Sequence, residues 1–147
     1  MKKVISHSEK ETKDLGRRLG RACCGGEIFA LSGDLGVGKT KFIQGLAAGL
    51  GIKRRVNSPT FNIWKIYKIR NNRVAVKNPV KIFCHLDAYR LGSAKDLISL
   101  GVEEYFFRPD TVVAIEWAER VRGIWPKGTK TITIERRSSK ERGIKIK

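Results

Sequence analysis

The stretch from Leu31 to Leu50, LSGDLGVGKTKFIQGLAAGL, joins a short apolar segment, a glycine-rich loop and a run of apolar residues at helical spacing. Gly36 and Gly38 can take backbone angles that other residues avoid, so successive N–H groups can turn inward and form a concave anion site. The positive end of a helix that starts after the loop points into the same site. This stretch therefore predicts a phosphate-binding loop between a strand and a helix.

The spacing within the loop matches a phosphate-binding motif. Gly33, four intervening residues, Gly38, Lys39 and Thr40 satisfy G-x-x-x-x-G-K-[ST], the P-loop or Walker A motif. In this motif the lysine reaches the β and γ phosphates, and the threonine hydroxyl ligates the accompanying Mg²⁺. The alternative is a glycine-rich turn before an ordinary helix. It is disfavoured because Glu27–Ser32 is typical of a buried strand, so strand, loop and helix follow in the required order.

Composition favours one globular domain. With 147 residues, of which 41% are hydrophobic and 31% charged, the chain is long enough for one α/β core, and we expect a single domain over residues 1–147. Its apolar runs are shorter than the ~20 residues that span a bilayer. The start, MKKVISHSEKE, lacks the apolar segment of a secretory signal, and three cysteines without C-x-x-C spacing agree with a reducing compartment. We therefore expect a cytoplasmic protein with no membrane partner.

The net charge is the unusual feature of the composition. The chain has 31 Lys and Arg against 14 Asp and Glu, a net charge of +17, and such a surface attracts polyanions. Three explanations stay open: proximity to nucleic acid, docking of an acidic protein partner, and a lysine-rich bias of the whole proteome. No RNA-binding motif accompanies the charge, so charge alone does not choose between them.

Two acidic residues follow predicted strands. Thr111–Ile115 is a continuous apolar run, typical of a central parallel strand, and Glu116 ends it as a Walker B carboxylate, which reaches Mg²⁺ directly or through water. Asp87 follows a predicted strand over Val80–Leu86; it could hold Mg²⁺, hold its water or act as base, or be an ordinary turn aspartate. His85 alone is more often a packed residue than a catalyst. Since α/β sheets place ligands at the carboxyl ends of strands, both carboxylates are candidate site residues.

Several other positions have two open interpretations. The loop Gly51–Phe61 carries Ser58 and Thr60, which either sense the γ phosphate through a hydroxyl contact or belong to an ordinary turn. Trp117, directly after the Walker B carboxylate, is core by default and otherwise a rim or partner surface. Thr12, on the sheet-facing side of the first predicted helix, either packs or also borders the nucleotide.

The remaining segments complete an α/β sheet with helices on its faces. Ser8 followed by Glu11 is a capping box for a first helix that ends at Gly25. Antiparallel strands are inserted in an otherwise parallel sheet, and the last two strands form a basic edge hairpin. Asn71 and Asn72 offer a turn between the inserted strands, and Arg73–Pro79 either continues the hairpin or forms an irregular excursion. We therefore expect a P-loop NTPase-like α/β domain with a mixed central sheet. The predicted segments are Phe61–Ile69, Val80–Leu86, Ser93–Leu100, Glu103–Phe107, Lys130–Arg136 and Gly143–Lys147.

In order along the chain, GDLGVGKT, SPTF, HLDAYRL, EEYF and IEWAER resemble the motifs of the TsaE (YjeE) family. A P-loop alone would be unspecific, but five ordered motifs in a chain this short are not. The family consists of bacterial P-loop ATPases that support synthesis of threonylcarbamoyladenosine at position 37 of tRNA. The resemblance covers nearly the whole chain, from the helix with Thr12 to the terminal hairpin with Arg142.

The resemblance implies roles for individual residues. Asp87 and Glu116 become the catalytic carboxylates, and Thr40 joins them around Mg²⁺. The loop with residues 58 and 60 becomes switch-like, and Trp117 becomes a possible functional surface. The residues implied to bind or border ATP or ADP are Gly33, Asp34, Leu35, Gly36, Val37, Gly38, Lys39, Thr40, Lys41, Thr12 and Arg142.

The resemblance also implies partners and leaves some positions in question. The family acts with the TsaD and TsaB proteins, and its ATP cycle resets their complex; tRNA is reached through them or directly through basic surface.

Lys41 stands where a hydroxyl residue is common, so a contact to the α phosphate is absent or replaced by charge. Leu86, Ala88 and Ala118 also depart from the usual pattern and put local packing in question. Two alternatives are a nucleotide-gated RNA-binding module and a small-molecule kinase, although the chain has no arginine-rich lid segment.

Overall fold

The computed structural model describes residues 1–70 and 80–147. The predicted turn at Asn71 and Asn72 and the segment 73–79 lie outside the described residues. Two 3-10 helices, Val102–Phe107 and Ala118–Val121, accompany the strands and α-helices. In chain order, the strands and α-helices are β1 (Lys2–Ser6), α1 (Glu9–Ala22), β2 (Ile28–Ser32), α2 (Lys39–Gly49), β3 (Trp64–Lys68), β4 (Ile82–Asp87), α3 (Ala94–Ser99), β5 (Thr111–Glu116), β6 (Lys130–Arg136) and β7 (Arg142–Ile146).

The strands of the described chain form one sheet in the order β1-β7-β6-β2-β5-β4-β3. The four central strands, β6, β2, β5 and β4, run parallel to one another. β3 pairs antiparallel with β4, and β7 pairs antiparallel with both β6 and β1. The predicted mixed sheet, with helices on its faces, is confirmed. In the register of β4 against β5, Asp87 lies opposite Glu116, so the two candidate carboxylates end neighbouring strands.

Alternation along the strands decides which face of the sheet carries the polar side chains. Phe83 on β4 belongs to the core beneath α1 and α2, whereas Cys84 and Leu86 belong to the core beneath α3 and the 3-10 helices. Since side chains alternate along a strand, His85 and Asp87 share the α1–α2 face with Phe83. Ala114 on β5 lies in the same core, so Glu116 shares this face as well.

Helices α1 and α2 pack closely because glycines line their contact. Gly16 and Gly20 lie about one turn apart on α1, and Gly45 and Gly49 have the same spacing on α2. A Cβ added at any of the four would come between 1.9 and 2.3 Å from a backbone carbonyl oxygen of the other helix. This backbone contact fixes α2, and with it the preceding loop, against the rest of the fold.

The helices agree with the sequence predictions. α1 begins after Ser8, whose hydroxyl accepts from the N–H of Glu11, and α3 lies within the predicted segment Ser93–Leu100. The segment predicted at Glu103–Phe107 is a 3-10 helix. No helix in residues 1–70 and 80–147 is long and apolar enough to cross a membrane.

The predicted edge position of the terminal hairpin is wrong, because an unpredicted strand covers it. β1 pairs with β7, with Val4 opposite Ile144, and β6 pairs with β2. The hairpin therefore lies inside the sheet, and the edge strands of the described sheet are β1 and β3. A five-residue strand with two exposed lysines, Lys2 and Lys3, has no local pattern that predicts it; its pairing partner at the far end of the sequence creates it.

Strand β3 begins later than the predicted start at Phe61. The N–H of Asn62 donates to the carbonyl oxygen of Pro59 at 2.9 Å, and Ile63 has a φ of 63°. These are turn and left-handed conformations, which a strand does not contain. Pairing with β4 therefore starts at Trp64.

Candidate functional site

The glycine-rich loop joins β2 to α2, as predicted. Gly33, Gly36 and Gly38 have φ angles of 138°, 71° and 114°, in the region that favours glycine. A Cβ at Gly33 would lie 2.2 Å from the carbonyl oxygen of Ile134 on β6, whereas a Cβ at Gly36 would meet nothing within 4 Å. The loop therefore packs against the sheet at its start and is open to a ligand further along.

The first turn of α2 has no side-chain cap. Its N-cap residue is Gly38, and its first turn contains no acidic residue. By contrast, Ser8 caps α1 through its hydroxyl, and the Asp96 carboxylate of α3 accepts from the N–H of Ser93. Because the first N–H groups of a helix lack intrahelical partners, the N-terminus of α2 suits an anion such as phosphate.

Lys39 is almost fully buried beside the loop, with 4% of its surface exposed. Its ammonium donates to the carbonyl oxygens of Gly33 and, at 2.8 Å, of Asp34, and lies 3.7 Å from the centre of the Trp117 ring. Burial lowers the pKa of Lys39, and the nearby Glu116 carboxylate opposes that shift. The present partners are neutral, so a phosphate oxygen would be a stronger partner than any of them.

The predicted Walker B carboxylate reaches the loop. The Thr40 hydroxyl lies 2.9 and 3.1 Å from the two carboxylate oxygens of Glu116. His85 Nε2 lies 2.9 Å from Oε1 of the same carboxylate, and both of these side chains are buried. A hydroxyl and a carboxylate at this separation are the hard oxygen ligands that Mg²⁺ prefers, so the donor set fits the predicted metal. His85 is a packed, hydrogen-bonded residue, and it orients the carboxylate.

The Asp87 carboxylate accepts hydrogen bonds from the loop that follows α2. Its Oδ2 accepts from the hydroxyls of Ser58 at 2.7 Å and Thr60 at 3.0 Å, and its Oδ1 accepts from the N–H of Tyr89 at 2.9 Å. The two hydroxyls also lie 2.8 Å from each other. The predicted switch-like residues and the predicted carboxylate thus form one hydrogen-bonded cluster beside Glu116. A displacement of the Asp87 carboxylate would be transmitted directly to that loop.

Trp117 belongs partly to the core and partly to the site. It packs against the core beneath α3, while its ring lies under the Lys39 ammonium and 5.0 Å from the Tyr89 ring, centre to centre. Its φ of 56° is uncommon for a bulky residue; such strained positions cluster at functional sites. Core packing alone, the default interpretation, does not account for this residue, because its ring also shields the lysine.

On the other side of the loop, a cleft of about 290 Å³ opens between α1, the loop and the β6–β7 hairpin. Thr12 lines it, and its hydroxyl lies 2.7 Å from Oγ of Ser6. Arg142 also lines it and donates from Nε to the carbonyl oxygen of Val37 at 3.0 Å. The fold thus brings Thr12 and Arg142, which are far apart in sequence, to one cleft beside the loop.

Lys41, the residue after the loop, also lines this cleft. Its ammonium lies 2.9 Å from a carboxylate oxygen of Glu9 on α1. Both side chains are largely exposed, so the pair contributes little to stability. Its suggested effect on the α phosphate stays a prediction. The cleft also contains residues that the sequence analysis did not assign to the site: His7, Ser8, Glu9, Ser139 and Lys140.

Comparisons with known proteins were made against families, individual sequences and solved structures. The family model described as "Threonylcarbamoyl adenosine biosynthesis protein TsaE" matches residues 6–144. Several relatives carry the name tRNA threonylcarbamoyladenosine biosynthesis protein TsaE, among them those of Treponema pallidum and Bacillus subtilis. The Treponema pallidum protein is 36% identical over 132 residues, 90% of either chain; the Bacillus subtilis protein is 37% identical over 135 residues, 92% of this chain and 78% of the relative.

A solved structure supports the fold assignment. The crystal structure of Bacillus subtilis YdiB matches with a TM-score of 0.75 and 33% sequence identity, and the match covers 97% of this chain and 82% of that chain. The predicted P-loop NTPase-like α/β fold is confirmed by this neighbour together with the mixed sheet.

Proposed function

The chain belongs to the TsaE family, and from that membership we propose that it is a Mg²⁺-dependent ATPase acting as an accessory protein in threonylcarbamoyladenosine modification of tRNA. The observation that carries the proposal is the contact of the Thr40 hydroxyl with the Glu116 carboxylate, beside the Lys39 ammonium. These are the groups that P-loop enzymes use for ATP hydrolysis: a cation for the phosphates, and a hydroxyl and a carboxylate for the metal. The names of the relatives supply the tRNA modification.

The loop residues 33–40 would hold the phosphates of ATP or ADP. The open side of the loop and the uncapped first turn of α2 supply N–H donors for phosphate oxygens. Lys39 would exchange its carbonyl partners for the β and γ phosphates. Thr12 and Arg142, across the adjoining cleft, would border the rest of the nucleotide.

Thr40 and Glu116 would hold Mg²⁺, and Asp87 would contact it directly or through water. A bound Mg²⁺ would neutralise charge on the phosphates. His85 would act as a positioning residue, because its contact at 2.9 Å fixes one oxygen of the Glu116 carboxylate.

Asp87 is our candidate for orienting the attacking water. Its carboxylate ends the strand next to that of Glu116 and is held by three donors. Two of those donors are the hydroxyls of Ser58 and Thr60, so the group beside the reacting phosphate would also set the position of their loop. Loops that respond to the γ phosphate in this way let P-loop proteins change their affinity for partners.

We propose that the TsaD and TsaB proteins bind this chain and complete its active site. In the described ranges, no hydrogen bond or ion pair joins an arginine to Thr40, Glu116 or Lys39; Arg142 donates to the carbonyl oxygen of Val37 instead. P-loop enzymes that lack such an arginine turn over slowly until a partner supplies one. Hydrolysis by this chain alone should therefore be slow.

The test is ATP hydrolysis by the purified protein with Mg²⁺, measured alone and then with TsaD and TsaB. The Lys39→Ala variant is the control for contaminating activity. We expect a rate that depends on Lys39 and rises with the partners. Absence of hydrolysis in both mixtures, with ATP still bound, would overturn the ATPase proposal and favour a nucleotide-gated binding protein.

A further inference from the structure

A basic surface lies at the β3 edge of the sheet, next to the loop that contacts Asp87. In the sequence, no Asp or Glu stands between Asp34 and Asp87, whereas Lys and Arg recur throughout that stretch. Its described part includes the run Lys53–Arg55 after α2 and two lysines on β3 itself, Lys65 and Lys68. A stretch with charge of one sign cannot neutralise itself locally. Lys39 is buried beside the P-loop, whereas the cations after α2 and on β3 are at least partly exposed.

Two parts of this stretch meet across a groove of about 330 Å³. One wall comes from the loop between α2 and β3, and the other comes from β3. β3 is an edge strand of the described sheet, and no other strand among residues 1–70 and 80–147 pairs with it on the side of the groove. The groove is lined by Arg54, Arg55, Asn57, Lys65, Ile66 and Tyr67.

Arg54 is held in this groove by its own contacts. Its guanidinium carbon lies 4.5 Å from the centre of the Tyr67 ring, and its Nη2 donates to the carbonyl oxygen of Ile66 at 3.4 Å. The wall formed by the loop between α2 and β3 is hydrogen-bonded to α2, because Gln44 Nε2 donates to the carbonyl oxygen of Val56 at 2.9 Å. A guanidinium that stacks on one ring keeps its other face and several N–H groups available for a phosphate or a base.

The cations of the groove have no acidic partner among the residues that the structure describes. Arg55 and Lys65 in the groove, and Lys53 next to Arg54 in sequence, are at least partly exposed, and none of the three takes part in an ion pair there. Grouped, unpaired cations favour a polyanion, because each phosphate that they contact releases condensed counterions. The Lys and Arg side chains that do pair with carboxylates lie elsewhere, in Lys41–Glu9, Arg108–Asp110 and Lys145–Glu135.

We propose that this groove binds the phosphate backbone of RNA and that tRNA is its ligand. The choice of tRNA among RNAs rests on the proposed function, whereas the preference for RNA rests on the groove. Arginine planes and the Asn57 amide suit phosphates and bases. The groove offers little apolar surface for the core of a protein interface, since Tyr67 is 5% exposed and covered by Arg54. Asn57 directly precedes Ser58, so RNA in the groove lies beside the loop that Asp87 holds.

The test compares three triple variants for binding of a labelled, unmodified tRNA transcript over a series of salt concentrations, without nucleotide or partner proteins. The groove variant carries Lys53→Ala, Arg55→Ala and Lys65→Ala. The matched control, Lys2→Ala, Lys3→Ala and Lys10→Ala, removes the same charge from exposed side chains of α1 and of β1, the opposite edge strand. A charge-preserving variant, Lys53→Arg, Arg55→Lys and Lys65→Arg, shows whether charge at these positions is sufficient, and melting temperatures verify folding.

We expect the groove variant to lose at least tenfold in tRNA affinity at about 0.1 M salt, and the slope of log K against log salt to become shallower by about 2. The control and the charge-preserving variant should stay within about threefold of the wild type. Equal losses in groove and control variants, no loss in either, or no RNA binding by the wild type would overturn the proposal. Displacement of tRNA by polyglutamate at equal charge would overturn it in favour of an acidic protein.

The same variants separate this proposal from the proposed function. RNA binding is measured without hydrolysis, so a protein that binds tRNA through the groove but lacks ATPase activity would sustain the groove and overturn the ATPase. Conversely, a groove variant that binds tRNA normally but loses the stimulation of hydrolysis by TsaD and TsaB would make the groove a protein-docking surface and overturn its assignment to RNA.

Discussion

At the scale of single residues, the Glu116 carboxylate has two side-chain partners, the hydroxyl of Thr40 and the imidazole of His85. Thr40 contacts both carboxylate oxygens and His85 contacts one of them. This leaves the carboxylate buried, oriented and next to the position where phosphates would lie. Its negative charge, rather than its shape, is therefore the property on which the proposed metal role depends.

The Glu116→Gln variant separates charge from shape. The amide keeps the size of the side chain and an oxygen for the Thr40 hydroxyl, but it removes the charge that attracts Mg²⁺. We expect hydrolysis to fall about 100-fold or more and ATP binding to lose most of its dependence on Mg²⁺, measured by steady-state rates and by calorimetry with and without the metal. Glu135→Gln, on an exposed β6 side chain, is the control. A Glu116→Gln protein with normal Mg²⁺ dependence would contradict the metal role.

Asp87 should behave differently from Glu116, because its carboxylate is tied to the loop with Ser58 and Thr60. We expect Asp87→Asn to lower the hydrolysis rate about 100-fold while ATP affinity stays within about threefold, as for a group that acts mainly in the transition state. Asp110→Asn, remote from the site and paired with Arg108, should change neither quantity. Equal losses of affinity and rate at Asp87 would show a binding role and contradict the water-orienting one.

At the scale of elements, the position of α2 depends on the glycines that it shares with α1. A Cβ at Gly45 would lie 1.9 Å from the carbonyl oxygen of Lys13, which forces the helices apart. Overpacking of this kind costs about 3 kcal/mol, and the better helix propensity of alanine returns only about 1 kcal/mol. We expect Gly45→Ala to destabilise the protein by about 2 kcal/mol and to lower its melting temperature by about 4–8 °C.

Calorimetric melting measures this effect, and Gly92→Ala is the matched control. A Cβ at Gly92 has its nearest neighbour at 3.4 Å, the carboxylate end of Asp96, so this glycine can accept a methyl group. Its substitution should change stability by less than about 0.5 kcal/mol. If Gly45→Ala were as stable as Gly92→Ala, the close contact of the two helices would not be what holds α2 in place.

Elements that local chemistry specifies are the ones that the sequence predicts well. The P-loop, the Ser8 cap of α1 and the apolar run of β5 each contain their own signal within a few residues. β1 and the place of the terminal hairpin depend instead on pairing between the two ends of the sequence. The late start of β3 depends on a turn that leaves Ile63 at positive φ, which a β-branched residue gives no reason to expect.

The same division applies to the site. The loop and Glu116 are predictable, because the loop lies in a motif with fixed spacing and Glu116 ends a continuous apolar run. The contact of His85 with Glu116 requires the register of β4 against β5, and the cleft residues Glu9 and Lys140 require the packing of α1 beside the hairpin. One available signal is strand alternation, since His85 lies two residues before Asp87 and must therefore share its face.

At the scale of the whole molecule, the fold closes the candidate nucleotide site with segments from three parts of the sequence. The connection from β1 to α1, the P-loop and the β6–β7 hairpin all line the cleft. Hydrogen bonds already join these parts: His7 Nδ1 lies 2.9 Å from Oε1 of Glu141, and Arg142 donates to the carbonyl oxygen of Val37. A ligand in the cleft would therefore touch the β1–α1 connection and the start of β7 as well as the loop.

We consequently expect Mg²⁺–ATP to stabilise distant segments together. At about 100 times its Kd the ligand adds about 2.7 kcal/mol to the free energy of unfolding, and slowed amide exchange should appear in residues 6–12, 33–40 and 138–142. Hydrogen exchange followed by mass spectrometry measures each segment. Arg142→Ala should remove the added protection from the hairpin while leaving that of the P-loop, because its Nε is the contact to Val37. Protection confined to residues 33–40 would show that the nucleotide does not occupy the cleft.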